Sequence, residues 1–433
     1  MSRLTWDLAT LSLHAGQQPD AQTGALAVPV HNSTAFVFDD AETAGELFDV
    51  ARAGHLYSRI SNPTVAAFEE RIAALEGGVG AVATASGQAA LHLTVATLLE
   101  AGDHIVASRA LYGGSTTLLA HTMRRFGIET TFVDPGEPDS FTEALKERTR
   151  LFFAETIGNP RLPVLDVEAV AAQARSAGVP LVVDSTLATP CLARPIEHGA
   201  DLVIHSATKF LGGHGVSLGG VVVDGGGFDW ARGFAQMREP HPGYHGIRFG
   251  EQFGNLAFLM KARLEGLRDF GACLHPQAAF YLLQGLETLP LRMRKHCANA
   301  LEIAHRLETH EQVEWVNYPG LETDSEYAAA QRYLPEGAGA LVTFGVRGGR
   351  DAAAKLLESR ELFTHVANLG DAKSLVIHPA STTHRQLAEE ELESAGLTDN
   401  LIRLSVGLES IGDLVADLER ALKIVARKFG GAQ

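Results

Sequence analysis

The sequence predicts an α/β protein built on a mostly parallel β-sheet with helices on both faces. Short, nearly continuous apolar runs alternate with segments of helical periodicity from about residue 64 to residue 223. Such strands are typical of parallel sheets, because helices cover both of their faces. The chain has 433 residues, of which 45% are hydrophobic, so it has enough apolar material for a large core.

Composition and charge exclude several kinds of partner. The chain has 36 Lys and Arg residues against 52 Asp and Glu residues, a formal net charge of −16. Such an acidic chain is poorly suited to nucleic acid or an anionic membrane. No uninterrupted apolar run approaches the roughly 18 residues of a membrane helix, and the N-terminus does not resemble a signal peptide. Cys191, Cys273 and Cys297 are far apart and odd in number, so we expect free thiols in a cytoplasmic protein.

The order of elements predicts an arm followed by a large domain. Residues 1–63 are weakly periodic and predict an N-terminal arm. A helix is predicted at Thr64–Leu75, because apolar residues recur at helical spacing and Gly77 and Gly78 end the pattern. Residues 64–270 predict the large domain, with seven strands. The strand candidates are Ala81–Thr84, His104–Ala107, Thr130–Val133, Leu151–Glu155, Leu181–Asp184, Leu202–His205 and Gly220–Val223.

The alternation of helices and strands changes after residue 223. Residues 224–254 are rich in glycine, proline, histidine and aromatic side chains, which predicts a long loop or lid. Residues 271–433 predict a smaller C-terminal α/β domain that ends in an amphipathic helix at Ile411–Lys428. Its strand candidates are Ala340–Val346, Ser374–His378 and Ile402–Val406.

Common catalytic motifs are missing from the sequence. It contains no Walker A phosphate loop and no well-placed dinucleotide-binding, zinc-protease or serine-hydrolase motif. His241 and His245 are four residues apart, but Pro242 and Gly243 between them disfavour a helix that would bring the two rings together. We therefore predict no metal site.

Polar residues follow several predicted strands, at the edge of the sheet where α/β proteins bind ligands. Ser86, Gly87 and Gln88 follow the first strand and open a helix, where small residues and free N–H groups suit a phosphate. An ordinary helix cap would use the same residues. Asp184 ends another strand and is suited to hold a protonated ring nitrogen, or simply to cap the next turn.

Two more residues extend this set. Lys209 follows a strand, where partial desolvation would make its amine nucleophilic toward an aldehyde; a solvated surface lysine is the alternative. Tyr112 also follows a strand and suits either stacking on a cofactor ring or packing in the core. Each signal is weak alone. Together they supply what pyridoxal phosphate requires: a phosphate cradle, a stacking ring, a carboxylate for the ring nitrogen and a lysine for the aldehyde.

Eight segments, in order along almost the whole chain, match one enzyme family. They are YSRISNPT (57–64), ATASGQAA (83–90), LYGGS (111–115), ETIGNP (155–160), VDSTLATP (183–190), HSATKFLGGHG (205–215), HPASTTH (378–384) and LIRLSVGLE (401–409). On these segments the chain resembles the cystathionine γ-synthase-like, fold-type I pyridoxal-phosphate enzymes of cysteine and methionine metabolism, and within them the sulfhydrylase branch. The resemblance implies γ-replacement on O-acetyl-L-homoserine by sulfide, giving L-homocysteine and acetate in methionine biosynthesis.

The resemblance also assigns roles to residues of this chain. Lys209 resembles the Schiff-base lysine. The resemblance implies that Lys209 and Tyr112 are the two catalytic residues. Arg403 resembles the arginine that binds the substrate carboxylate, with Asn368 nearby. The implied cofactor-binding residues are Tyr57, Arg59, Ser86, Gly87, Gln88, Tyr112, Asn159, Asp184, Thr186, Ser206, Thr208 and Lys209.

The same resemblance implies an assembly. Tyr57 and Arg59 resemble a pair that reaches the phosphate site of a neighbouring subunit, so the arm at residues 1–63 is expected to contact that subunit. A homotetramer built from dimers that share active sites follows. The segment 224–254 resembles an insertion of the sulfhydrylase branch that lies near the active site.

Two departures from relatives bear on the substrate. Gly114 stands where methionine γ-lyases usually have a cysteine, and Lys373 stands where several cystathionine-handling relatives have a glutamate. A cation at position 373 is expected to repel a distal ammonium, which favours a substrate without one. The alternatives are an O-succinylhomoserine-dependent synthase and a methionine or cystathionine γ-lyase. A non-catalytic α/β binding protein is the alternative from another class.

Overall fold

Seven strands form the larger of two sheets in the computed structural model, which describes residues 6–382 and 397–429. Their order across the sheet is β1-β7-β6-β5-β4-β2-β3. Neighbouring strands are parallel except at β7, which is antiparallel to both β1 and β6. The predicted mostly parallel sheet is confirmed. The strands are β1 (Gly80–Thr84), β2 (His104–Ser108), β3 (Glu129–Val133), β4 (Thr149–Glu155), β5 (Leu181–Asp184), β6 (Leu202–His205) and β7 (Gly220–Asp224).

Helices connect and cover these strands. Within the described ranges, none of them is both long and apolar enough to cross a bilayer. The α-helices are α1 (Leu8–His14), α2 (Ala41–Phe48), α3 (Pro63–Glu76), α4 (Gly87–Leu98), α5 (Gly113–Thr117), α6 (Ser140–Glu143), α7 (Val167–Ala177), α8 (Thr189–Leu192), α9 (Trp230–Gly233), α10 (Ala235–Arg238), α11 (Phe249–Phe253), α12 (Ala257–Lys261), α13 (Arg268–Phe270), α14 (Pro276–Glu287), α15 (Leu289–Glu308), α16 (Tyr327–Tyr333), α17 (Gly349–Ser359) and α18 (Ile411–Phe429).

The larger sheet is buried on both faces, as its apolar strands require. Successive side chains of a strand enter opposite cores: Phe152 packs with α3, α7 and α14, whereas Phe153 packs with α4 and α12. Val182 and Val183 alternate in the same way. Both faces of the strands are therefore covered by helices, which explains why these strands are apolar at almost every position.

Local signals in the sequence set the ends of the helices that lead into the site. The side chain of Asn62 caps α3 by accepting from the Thr64 N–H at 3.0 Å, and Pro63 opens the helix. Gly77 ends it with a φ of +75°, a left-handed conformation that favours glycine. Ser86 caps α4 by accepting from the Ala89 N–H at 3.1 Å.

The segment 224–254 is not the open loop that its composition predicts. It contains α9, α10 and α11, and Trp230, Phe234, Met237 and Phe249 are buried against the α4 side of the sheet. The indole of Trp230 donates to the buried carboxylate of Asp224 at 3.1 Å. The interpretation as a lid was wrong, because the aromatic residues that interrupt the strand pattern belong to the core.

The smaller sheet has five strands in the order β10-β11-β12-β9-β8, two more than predicted. The strands that the sequence analysis missed are β8 and β10, which are short and partly exposed. The last two residues of the HPASTTH segment, Thr383 and His384, lie outside the described residues. The predicted boundary between residues 270 and 271 stays a prediction. The strands are β8 (Val313–Asn317), β9 (Leu341–Val346), β10 (Thr364–His365), β11 (Leu375–Ile377) and β12 (Leu401–Ser405).

Arg292, on α15, supports the turn that carries Lys209. Its buried guanidinium donates to the carbonyl of Phe210 at 2.7 Å, of Leu211 at 3.2 Å and of Gly285 at 2.6 Å. Burial lowers the pKa of this guanidinium to about 10. One side chain of a helix distant in sequence thus supplies the hydrogen bonds for the Phe210 and Leu211 carbonyls in the turn after β6.

We expect Arg292→Leu to destabilise the protein, because it leaves the carbonyls of Phe210 and Leu211 without this donor, whereas the Gly285 carbonyl still accepts from the Thr288 N–H. Unsatisfied buried acceptors cost about 1–3 kcal/mol each, so the melting temperature should fall by several degrees. Arg294→Leu on the same helix is the matched control, since Arg294 is exposed. Thermal unfolding followed by circular dichroism measures both, and equal melting temperatures for the two variants would contradict this role.

Candidate active site

The carboxyl ends of neighbouring parallel strands bring the first polar residues together. In the pairing of β4 with β5, Glu155 stands opposite Asp184, and Ser206 follows the end of β6 directly. The Oδ1 atom of Asp184 accepts from the Thr186 N–H at 2.9 Å and from its hydroxyl at 2.5 Å. Thr186 Oγ1 in turn accepts from the Ser206 N–H at 2.8 Å. Asp184 Oδ2 has no partner within the described residues, so one oxygen is left to face a ligand.

A small cradle lies beside this edge, between α4 and the end of β6. Gly87 approaches Ser206 so closely that a Cβ at position 87 would lie 2.7 Å from the Ser206 Cβ atom. The first N–H groups of α4 have no carbonyl partner within the helix. The cradle therefore combines free backbone donors with two serine side chains and has no room for a larger residue, which suits a phosphate.

Thr208 is placed differently from the other predicted phosphate ligands. Its hydroxyl donates to the Gly219 carbonyl at 3.2 Å and accepts from the Gly219 N–H at 3.1 Å. In this arrangement its proton is directed to the backbone before β7. The role of Thr208 toward a phosphate stays a prediction.

Lys209 lies in the turn after β6, and its amine makes a polar contact with the smaller domain. Its Nζ atom donates to Asn368 Oδ1 at 2.6 Å. Gly370 packs against the Lys209 main chain, where a Cβ would lie 2.7 Å from the Phe210 nitrogen. Burial, and then the positive charge of Arg403, lower the pKa of the Lys209 amine. The neutral, nucleophilic form is therefore favoured relative to a surface lysine.

Tyr112 stands at the start of α5, and its ring is about half exposed. A Cβ at position 114 would lie 2.4 Å from Tyr112 Cε1 and 3.1 Å from Gln88 Nε2. The ring and the Gln88 side chain therefore converge on Gly114, and a side chain at position 114 would require the Tyr112 ring to move. The Tyr112 N–H donates to Glu155 Oε1 at 2.6 Å.

Arg403 enters the site from β12 of the smaller sheet. It is 6% exposed, and its Nη1 atom donates to Asn159 Oδ1 at 3.4 Å. Burial lowers the pKa of the guanidinium to about 10, and the nearby Tyr112 opposes the shift. A buried guanidinium without an acidic partner within the described residues is suited to bind a ligand carboxylate.

Tyr57 and Arg59 are the predicted site residues that this chain does not bring into the cluster. The Arg59 guanidinium lies 5.5 Å from the centre of the Tyr57 ring and donates to the Arg268 carbonyl at 2.8 Å. Among the described contacts, neither residue bonds to the residues around Lys209. Their role toward a neighbouring subunit stays a prediction.

Lys373, the cation predicted to repel a distal ammonium, lies at the surface. Its side chain is 75% exposed, and its Nζ atom lies 3.8 Å from Asp371 Oδ1. Water and the opposite charge of Asp371 screen the cation, so it provides little repulsion toward a distal ammonium. The prediction that position 373 favours a substrate without a distal ammonium stays a prediction.

Sequence reasoning missed Glu155, although it is the last residue of a predicted strand. The carboxyl group is buried, and burial together with the negative charge of Asp184 raises its pKa well above the usual range. The signal that could have found it is its place at a strand end, the same signal that singled out Asp184.

An open groove of about 1280 Å³ adjoins the cluster. Its lining includes Gln88, Tyr112 and Asn159 of the cluster, and also Arg109 and Arg161. Its size would admit a small amino-acid substrate.

Comparison with known proteins shows the family of the chain. Residues 9–423 match the family model for the Cys/Met metabolism PLP-dependent enzyme. The O-acetyl-L-homoserine sulfhydrylase of Leptospira meyeri is 51% identical, over 96% of this chain and 96% of that protein. The homocysteine synthase of Schizosaccharomyces pombe is 49% identical, over 96% of this chain and 98% of that protein. A crystal structure from Campylobacter jejuni, described as an O-acetylhomoserine (thiol)-lyase, has a TM-score of 0.93 and 37% identity. The match covers 96% of this chain and all of that one, which contains a pyridoxyl-lysine phosphate.

We expect Lys209→Met to raise the melting temperature of the protein without cofactor. The pKa of the folded-state amine is lowered, so the ammonium form costs stability below that pKa, and the cost fades as the pH rises through it. The difference from the wild type should be largest near about pH 7 and narrow toward about pH 10. Differential scanning calorimetry of both cofactor-free proteins measures it.

Lys146→Met is the control, because Lys146 is half exposed and lies 3.1 Å from Glu129. It should not raise the melting temperature. A Lys209→Met protein that melts below the wild type near about pH 7 would show that the folded site favours the ammonium form instead.

Proposed function

Because the chain belongs to the family of Cys/Met metabolism PLP-dependent enzymes, we propose that it catalyses γ-replacement on O-acetyl-L-homoserine. Sulfide replaces the acetate at Cγ, and the products are L-homocysteine and acetate. Relatives with 46–51% identity, named O-acetyl-L-homoserine sulfhydrylase and homocysteine synthase, support this choice. The reaction supplies homocysteine for methionine biosynthesis.

The residues of the site fit pyridoxal phosphate. The cradle of Ser86, Gly87 and Ser206 suits its phosphate, the unpaired Asp184 Oδ2 suits its ring nitrogen, and the Lys209 amine suits its aldehyde. When bound, the cofactor acts as an electron sink that stabilises negative charge developing on the substrate. Asp184 contributes a fixed negative charge, which Thr186 holds in place with two hydrogen bonds.

The observation on which the proposal mainly rests is that a buried guanidinium lies close enough to an amine at the sheet edge to lower its pKa. Arg403 is buried beside Lys209, and the two side chains come from different sheets. Arg403 binds the substrate carboxylate, while Asn159 holds one arm of the guanidinium. The bound substrate then presents its Cα proton to Lys209.

Lys209 acts as the base because its pocket favours the neutral amine. Asn368 accepts one of its N–H bonds, which directs the Nζ atom within the pocket. The amine takes the Cα proton. Loss of a second proton, from Cβ, lets acetate leave Cγ with its bonding electron pair, and after sulfide adds at Cγ protons return to Cβ and Cα. The Tyr112 hydroxyl assists these transfers from the exposed side of the site.

Gly114 favours replacement over elimination in this proposal. The γ-lyases that the chain resembles usually have a cysteine at this position, but a Cβ here would collide with the Tyr112 ring. The Tyr112 ring lies where a side chain at position 114 would otherwise lie. Sulfide is small enough to reach Cγ past such a ring.

We propose that the working unit is a homotetramer of dimers that share active sites. Arg59 is turned away from the cluster of its own chain, and the cradle contains no side-chain cation of its own within the described contacts. Exposed apolar side chains of the arm and of the segment after Lys209 would be covered by a second copy, among them Leu26, Val37, Val216 and Leu218. The proposed location is the cytoplasm, where three unpaired cysteines stay reduced.

The purified protein with pyridoxal phosphate should form homocysteine from O-acetyl-L-homoserine only when sulfide is present. Homocysteine, 2-oxobutyrate and ammonia are measured with and without sulfide, and O-succinyl-L-homoserine and cystathionine are tested in parallel. Lys209→Ala should reduce turnover to background, because it removes the base. Release of 2-oxobutyrate regardless of sulfide would identify a γ-lyase and overturn the proposal.

Shared active sites predict that two inactive variants complement each other. Lys209→Ala and Arg59→Ala each damage a different half of a shared site, so a mixed dimer regains one intact site. After the two proteins are unfolded and refolded together, about a quarter of wild-type activity should return. Refolding each variant alone is the control. No recovery in mixtures shown by native mass spectrometry to contain mixed dimers would contradict shared sites.

A further inference from the structure

Glu155 is a buried carboxylic acid that touches two parts of the site. It ends β4 directly opposite Asp184, is 8% exposed, and accepts from the Tyr112 N–H at 2.6 Å. Its position is therefore set by the sheet, while its hydrogen bond reaches the residue that opens α5. The mechanism described above uses Asp184 and Tyr112 but gives Glu155 no part.

Two neighbouring buried carboxylates are not both ionised at low cost, and their surroundings differ. Burial raises the pKa of Asp184, and the two hydrogen bonds from Thr186 and the nearby His205 oppose this rise. Glu155 receives one hydrogen bond, from the Tyr112 backbone. Burial and the charge of Asp184 raise its pKa well above the usual range. The surroundings therefore favour Asp184 over Glu155 as the ionised member of the pair.

We propose that Glu155 is a positioning residue, whose neutral carboxyl group fixes the backbone of Tyr112 and leaves Asp184 as the single charge facing the cofactor's ring nitrogen. The inference rests on the proposed use of pyridoxal phosphate. Tyr112 stands at the first turn of α5, where the main chain sets the direction of the side chain. A carboxyl oxygen at a rigid strand end gives that main chain a fixed anchor.

This role predicts opposite results for two substitutions. Glu155→Gln keeps a neutral group with a carbonyl oxygen in the same place, so it should preserve most of the turnover. Glu155→Ala removes the anchor and leaves the Tyr112 N–H unpaired, so kcat should fall about tenfold or more. Because the effect passes through Tyr112, the double variant Glu155→Ala/Tyr112→Ala should be no slower than Tyr112→Ala alone.

The decisive readout is the visible absorbance of the bound cofactor as a function of pH. Replacing a neutral acid by a neutral amide should leave the midpoint of the absorbance change within about 0.3 pH units of the wild type. Glu155→Ala should weaken the retention of pyridoxal phosphate on dialysis several-fold. Asp201→Ala is the matched control, since Asp201 also accepts a strand N–H, from Leu181 at 2.9 Å, at the opposite end of β5. Asp201→Ala should lower the melting temperature but leave the cofactor absorbance and kcat unchanged.

Three results would overturn the inference. A midpoint shift of about one unit or more in Glu155→Gln would mean that Glu155 is ionised. Wild-type kcat and cofactor retention in Glu155→Ala would mean that Tyr112 needs no anchor. Additive losses in the double variant would mean that Glu155 does not act through Tyr112. If Glu155→Ala does not fold, the Glu155→Gln midpoint still decides. If the wild type binds the cofactor but forms no homocysteine, the proposed reaction is wrong. The pH midpoint of the cofactor absorbance and the retention of the cofactor on dialysis would still test the role of Glu155.

Discussion

The desolvation of charged groups at the carboxyl edge of the larger sheet is the constraint on which the rest of the site depends. Asp184 and Glu155 end adjacent strands there, and Lys209 and Arg403 are buried nearby. Burial moves every one of these groups toward its neutral form. A ligand with both an anionic and a cationic centre would relieve that cost, which is why a site with this balance is suited to pyridoxal phosphate and an amino-acid substrate.

Close backbone contacts give the site its shape. Gly87 approaches Ser206, and Gly220 leaves no room for a Cβ because it would lie 2.0 Å from the Ser86 carbonyl oxygen. The antiparallel strand β7 lies between β1 and β6 and brings these two strand ends to one cradle. Glycine is required where two main chains meet, because any side chain would separate the donors from a bound phosphate.

The smaller domain contributes two side chains to the site. Arg403 comes from β12, and Asn368 from the segment between β10 and β11. Asn368 bonds to the Lys209 amine, and Arg403 lowers the pKa of that amine through its like charge. The pKa of the base therefore depends on how the two sheets meet. A change in their contact would move Arg403 relative to Lys209 and so change the pKa of the Lys209 amine.

The sequence by itself determined the layered fold and the residues at the strand ends, because apolar periodicity and strand–helix order are local properties. Asp184, Lys209 and the cradle at Ser86 and Gly87 could be found from their place after strands. The long segment at 224–254 was misjudged, since only packing shows that its aromatic residues are buried. Tertiary structure alone decided the pairing of Glu155 with Asp184, the contact of Lys209 with Asn368 and the exposure of Lys373. The first two join residues that are distant in sequence, and the exposure of Lys373 depends on the surrounding fold, so no local pattern encodes any of the three.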